Sequence, residues 1–97
     1  MIYRIEIGKT ADKKIGNLKD RILKKNIKSK IRSLKNNPKK GKYLFKNFYE
    51  LKAKNYRIYY AIFKGIIVIE DVEYDGKIVV RDVGTKNTQT RDLKSLQ

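Results

Sequence analysis

Glu50-Leu51-Lys52-Ala53-Lys54-Asn55-Tyr56-Arg57-Ile58-Tyr59-Tyr60 holds the most chemistry in this chain: a carboxylate, a short charged turn, then a single arginine inside an aromatic and β-branched run. Alternation puts Tyr56, Ile58, Tyr60 and Ile62 on one face of a strand, and Arg57, Tyr59, Ala61 and Phe63 on the other. A guanidinium on a rigid strand stays charged and offers a planar fork of donors, which suits it to clamp a phosphate. Lys52 and Lys54 beside it are placed to hold flanking phosphates, although a solvated turn explains them equally well. Upstream, Lys39, Lys40 and Lys42 form a basic loop around Gly41. The expected ligand is a polyanion, and RNA is the reading adopted.

Charge supports that reading. The chain carries 25 Lys and Arg against 10 Asp and Glu, a formal net charge of +15. Residues 1–46 hold 16 basic and 3 acidic side chains, whereas residues 47–97 hold 9 and 7. A lopsided basic half favours nucleic acid or an acidic protein partner. A lysine-rich proteome would also decorate helices this way, since 19 of the 25 are lysine, but it does not account for Arg57. With neither cysteine nor histidine, disulfides, thiolate chemistry, zinc fingers and imidazole acid–base pairs are excluded. No metal and no cofactor is expected. Apolar runs such as Ile66 to Ile69 are far too short to span a membrane, and Met1 to Ile7 reads as a strand rather than a signal peptide. The expectation is a cytoplasmic protein with no membrane partner.

The elements that must position these residues fit one domain over residues 1–97. Tyr3, Ile5 and Ile7 alternate with Arg4 and Glu6, predicting a strand over 2–7. Thr10 is the expected N-cap of a short helix carrying Ile15 and Leu18. A stronger helix is predicted from Asp20 to Lys35, where Leu23, Ile27, Ile31 and Leu34 form one apolar stripe. Asn36-Asn37-Pro38 ends it. Strands are predicted over 43–52, 56–63, 66–73 and 78–83, with a tight turn at Tyr74-Asp75-Gly76-Lys77. A short helix is predicted over 88–96. The expected class is α+β: an N-terminal strand, two helices packed on an antiparallel sheet, and a C-terminal helix.

That order of elements, with particular residues, resembles the RelE/ParE superfamily of toxins from type II toxin–antitoxin modules, closest to its HigB-like, phage-derived killer-protein branch. The residues carrying the likeness are Leu18-Lys19-Asp20-Arg21 between the helices, and Leu34 through Lys42 with its Asn37-Pro38 and Gly41. They continue with Glu50-Leu51 before Tyr56-Arg57-Ile58-Tyr59-Tyr60, and with Gly84-Thr85-Lys86-Asn87-Thr88-Gln89-Thr90-Arg91-Asp92-Leu93. The chain departs from the pattern in two places. Glu73 to Asp82 adds a hairpin, and the carboxy-terminal tyrosine or histidine of many ribosome-dependent relatives is absent, Asp92 standing in that region.

The resemblance implies a metal-independent endoribonuclease that cleaves ribosome-bound mRNA by attack of a ribose 2′-hydroxyl on its own phosphate, and a cognate acidic antitoxin as partner. The reaction needs a base, cations around the phosphorane and a proton donor. Glu50 falls where some relatives place a glutamate and is the candidate base. Its structural alternative is a carboxylate paired with Lys52 or Arg57. Arg57 matches the family's strand arginine and is the candidate clamp, its alternative being a cross-strand ion pair. Lys86 falls at the second cation position. Tyr59 shares the face of Arg57 and could stack on a base or donate a proton, or simply pack. Gln89 and Asp92 could cap and anchor the last helix. Two other functions stay open: a non-catalytic ParE-type toxin that blocks DNA gyrase, and an inactive RNA-binding family member.

Overall fold

The computed structural model describes residues 2–85. Chain order is β1 (Tyr3–Ile7), α1 (Lys9–Gly16), α2 (Arg21–Ser33), a 3-10 turn (Pro38–Lys40), β2 (Lys42–Phe45), β3 (Phe48–Ala53), β4 (Tyr56–Ile69) and β5 (Val72–Thr85). The strands form one sheet in the order β1-β5-β4-β3-β2. This is the RelE-like α+β arrangement expected, with a mixed rather than wholly antiparallel sheet: β1 runs parallel to β5, and the other neighbours are antiparallel.

The stripe of α2 behaves as its spacing predicts. Leu23, Ile27, Ile31 and Leu34 are all buried, and they meet Leu51, Ile58, Tyr60, Ile62, Ile78, Val80 and Val83 of the sheet in one core. Asp20 caps the helix, its Oδ1 accepting from the Leu23 N–H at 3.0 Å. α1 starts differently from expectation. Gly8, not Thr10, is its N-cap, and no side chain caps it. Gly8 donates its N–H to the Val80 carbonyl at 2.9 Å, so the end of β1 is tied to β5 just where the helix begins and Thr10 falls inside the first turn.

Two turns lie elsewhere than predicted. The segment read as one strand over 43–52 is a hairpin, broken at Lys46-Asn47, where Lys46 adopts φ 50°. The flanking aromatic residues Phe45 and Phe48 hid the break. Asn47 holds the turn against β4, exchanging hydrogen bonds with the Ile62 backbone at 3.0 Å in both directions. The second correction concerns Tyr74 to Lys77, which lies inside β5; the β4–β5 turn is Glu70-Asp71, both in the left-handed region at φ 49° and 66°. Gly76 is needed for close approach, because a Cβ there would lie 2.3 Å from the Phe63 carbonyl oxygen and 2.7 Å from the Tyr3 ring. Asp75 ties down the chain start: its carboxylate accepts from the Ile2 N–H and its own N–H donates to the Ile2 carbonyl, both at 2.8 Å.

One irregularity in β5 matters for the site. Tyr60 is opposite Val80 but Tyr59 is opposite Asp82, so Arg81 is an extra residue in β5. It resets the alternation, leaving Val80 and Val83 in the core and turning Asp82 to the opposite face beside Tyr59. The predicted helix over 88–96, with Gln89 and Asp92, lies outside the described residues. Among those described, no helix is long and apolar enough to cross a membrane.

Candidate nucleic-acid cleft

Register decides which side chains share the sheet face away from the helices. Lys42 is opposite Glu50, Glu50 opposite Tyr59, and Tyr59 opposite Asp82, so these form one row across four strands. Lys52 and Arg57 are opposite each other in the next row. Glu50 and Arg57 are therefore diagonal neighbours, and they meet: Arg57 Nε lies 2.7 Å from Glu50 Oε1. Both are mostly withdrawn from water, their side chains 16% and 22% exposed. Arg57 Nη1 also reaches the Tyr56 carbonyl at 3.4 Å.

This pair lies at a cleft of about 540 Å³ lined by Lys40, Gly41, Lys42, Glu50, Leu51, Lys52 and Arg57. Four cationic side chains thus surround one carboxylate. The ion pair anticipated as the structural alternative for both Glu50 and Arg57 is present, and it stands at the wall of an open basic cleft. Coupling to the carboxylate through Nε orients the guanidinium plane, so the side chain has less freedom left to lose in binding any oxyanion.

The wall carrying Lys40 and Lys42 is set by Tyr60. Its ring is wholly buried, stacked on Tyr49 with centroids 5.6 Å apart. Its hydroxyl accepts from the Gly41 N–H at 3.0 Å and donates to the Pro38 carbonyl at 2.7 Å, clamping the loop from both ends. Burial pushes the Tyr60 phenol up to about 12, against a smaller lowering by the Gly41 hydrogen bond. Gly41 is obligatory, since a Cβ there would lie 2.5 Å from the Glu50 carbonyl oxygen and 2.8 Å from the Tyr60 hydroxyl. Lys40 leans back, its Nζ donating to Ser33 Oγ at 3.3 Å.

Of the residues chosen from sequence, Glu50, Arg57, Lys40, Lys42 and Lys52 come together. Lys39 does not join them; it lines a separate hollow with Tyr3, Asn37, Pro38 and Lys64. Lys54 sits at the exposed β3–β4 turn with φ 55° and does not line the cleft. Tyr59 shares the face but is buried, so its ring is a packing element among charges. Its phenol is raised chiefly by burial and further by Glu50 and Asp82, while Arg57 opposes the rise. Lys86 lies outside the described residues.

Sequence reasoning missed Tyr60, Gly41 and Asp82. Alternation assigns Tyr60 only to the core face, although a tyrosine rather than phenylalanine in a core signals a buried hydroxyl in need of partners. A glycine amid lysines is a similar cue to close approach. Asp82 is buried with Lys14 Nζ 2.8 Å from its Oδ1, which also accepts from the Val83 N–H at 2.9 Å; a lone acid in the run Val79-Val80-Arg81-Asp82-Val83 was its signal. Among the described residues, no acidic cluster could hold a metal ion.

A family model described as the ParE toxin of type II toxin–antitoxin system, parDE, matches residues 5–87. That span runs from Ile5 within β1 through every later strand and helix described, and it contains the whole cleft. No curated protein matches the chain.

Proposed function

Because the chain belongs to the ParE toxin family of type II toxin–antitoxin systems, we propose that it is a toxin acting at the Glu50–Arg57 cleft as a metal-independent endoribonuclease on ribosome-bound mRNA. The likeness of its motifs to the HigB-like branch is the support for choosing RNA cleavage over the other activities of the superfamily. The observation that carries the reading is the 2.7 Å Glu50–Arg57 pair at the wall of a cleft with Lys40, Lys42 and Lys52.

In the proposed reaction Glu50 takes the proton of a ribose 2′-hydroxyl. The 2′-oxygen forms a bond to the adjacent phosphorus, and the bond from phosphorus to the 5′-oxygen breaks. The leaving 5′-oxygen takes a proton from water, and Glu50 gives the proton it accepted back to solvent. The products are a 2′,3′-cyclic phosphate and a 5′-hydroxyl. Arg57 hydrogen-bonds the non-bridging oxygens, whose charge grows in the phosphorane, so its donors do most where the transition state needs them. Lys42 and Lys52 hold flanking phosphates. Lys86 is the proposed second cation. An acidic cognate antitoxin would compete for the same basic face.

The test is addition of the purified protein to translating ribosomes, with cut sites mapped on the message. Discrete cuts that disappear in Arg57→Ala are expected; intact mRNA at stoichiometric protein overturns the proposal.

One observation favours a second reading. The matching family model is that of parDE toxins, and ParE-type relatives block DNA gyrase without cutting RNA. On that reading the Glu50–Arg57 pair settles the sheet, and the basic face binds its target by charge. Inhibition of gyrase supercoiling with no loss of mRNA would establish it in place of the first.

A further inference from the structure

The outer part of the β4–β5 hairpin is unlike the rest of the molecule. β3 accompanies β4 only from Tyr56 to Ala61, and β1 accompanies β5 only from Gly76 to Val80. Beyond these limits the two strands run on as a bare ribbon to the Glu70-Asp71 turn, with no further strand beside either among the described residues. Isolated two-stranded ribbons are marginal in water. This one also exposes Phe63, Ile66, Val68 and Val72, of which Ile66 and Val68 are 71% and 63% exposed. From Gly65 to Ile69 the free edge of β4 reads Gly-Ile-Ile-Val-Ile, with none of the charges or prolines that usually guard such an edge.

Its charge is inverted as well. Residues 65–76 contain Glu70, Asp71, Glu73 and Asp75 and no Lys or Arg, in a chain of net charge +15. An acidic antitoxin or a nucleic acid would be repelled by this tip. A second copy of the chain presents both an identical unpaired edge and a strongly basic body.

We infer that the outer β4 edge is a self-association surface, with Gly65–Ile69 of two copies paired antiparallel across a two-fold axis. Antiparallel pairing points each acidic tip back along the other copy. Glu70 and Asp71 then come beside the start of the partner's bare edge, where Lys64 and, in the adjoining β2–β3 turn, Lys46 are exposed. Gly65 fits this geometry. It sits in a bulge at φ 135° with nothing within 4 Å of where a Cβ would stand, leaving open space for a second backbone. A two-fold contact is closed, so it covers the edge without inviting fibres.

The chain has no cysteine, which permits a direct test. Ile67→Cys, on the proposed axis, is compared with Ser29→Cys on the exposed side of α2, both checked for folding by circular dichroism. Mild oxidation is expected to convert Ile67→Cys to a linked dimer at least about tenfold faster, since pairing raises the local thiol concentration. Sedimentation of the unmodified protein is expected to show a dimer that weakens with salt. In Glu70→Lys/Asp71→Lys its dissociation constant should rise about tenfold. Equal oxidation rates, a monomer at every concentration, or open-ended oligomers would each overturn the inference.

Discussion

Arg57 Nε stands 2.7 Å from Glu50 Oε1, a diagonal contact fixed by the register that sets Lys52 against Arg57 and Glu50 against Tyr59. The contact serves two ends that mutation separates. As a mostly buried charged hydrogen bond it stabilises the sheet, and removal of either partner should cost about 1.5–3 kcal/mol. As a base, Glu50 should matter far more to rate than to stability. Glu50→Gln keeps the shape and a hydrogen-bond acceptor but removes proton-abstracting power, so cleavage should fall by about 10²–10⁴ with a small change in urea midpoint. A loss of rate no larger than the loss of folded fraction would reduce Glu50 to a strand-settling residue.

Tyr60 links the core to the cleft. Tyr60→Phe keeps the stacked ring but strips partners from the Gly41 N–H and the Pro38 carbonyl, which should cost about 1–3 kcal/mol. The same hydroxyl gives an alkaline signature. Its folded-state value of about 12 lies above the ordinary 10.0, so the neutral phenol is favoured by folding. That stabilisation is complete below pH 10 and is lost as pH rises towards 12, by about 2–3 kcal/mol in all. Urea midpoints measured from pH 9 to 12 should therefore fall more steeply in the wild type than in Tyr60→Phe. Parallel curves would show that the hydroxyl is not titrating from a buried, bonded state.

Lys52, opposite Arg57 and exposed at the cleft, should act on affinity alone. If it neutralises one phosphate of a bound single strand, Lys52→Ala should flatten the plot of log K against log salt by about 0.7. Lys39→Ala, which lies outside the cleft, should leave the slope for a short oligonucleotide unchanged. Fluorescence anisotropy on a six- to eight-nucleotide RNA, read across a salt series, distinguishes them. An equal effect of both lysines would mean diffuse charge and no defined track.

The parts legible in sequence were those set by short-range pattern. Three- and four-residue spacing located α2 and its buried face, and alternation put Arg57 and Tyr59 on the face of β4 opposite Ile58 and Tyr60. What pattern cannot supply is register. Whether Glu50 meets Arg57 or Lys52 depends on the offset of β3 against β4, and both pairings satisfy the same alternation. The reset at Arg81, which brings Asp82 beside Tyr59, is likewise invisible until β5 is paired. The hairpin turn was misplaced for a related reason. Asp75-Gly76 has good turn chemistry, but tertiary packing against Tyr3 and Phe63 claimed that glycine, and Glu70-Asp71 took the left-handed turn despite having no glycine.

Gly76 tests that account. In a turn it would need freedom at positive φ, and asparagine would serve nearly as well as glycine. In the strand its requirement is room: any Cβ would stand 2.3 Å from the Phe63 carbonyl oxygen, which is backbone and cannot rotate away. Gly76→Ala and Gly76→Asn should therefore both destabilise, by about 1–3 kcal/mol. Because Asp75 beside it holds Ile2 from two sides, hydrogen exchange should also accelerate at the start of β1 in both variants. Asp71→Gly makes the complementary case. It should be neutral or stabilising, since it relieves a non-glycine residue at φ 66° in the true turn. A Gly76→Asn protein as stable as wild type, with Asp71→Gly destabilised, would return the turn to Asp75-Gly76 and shorten the ribbon on which self-association depends.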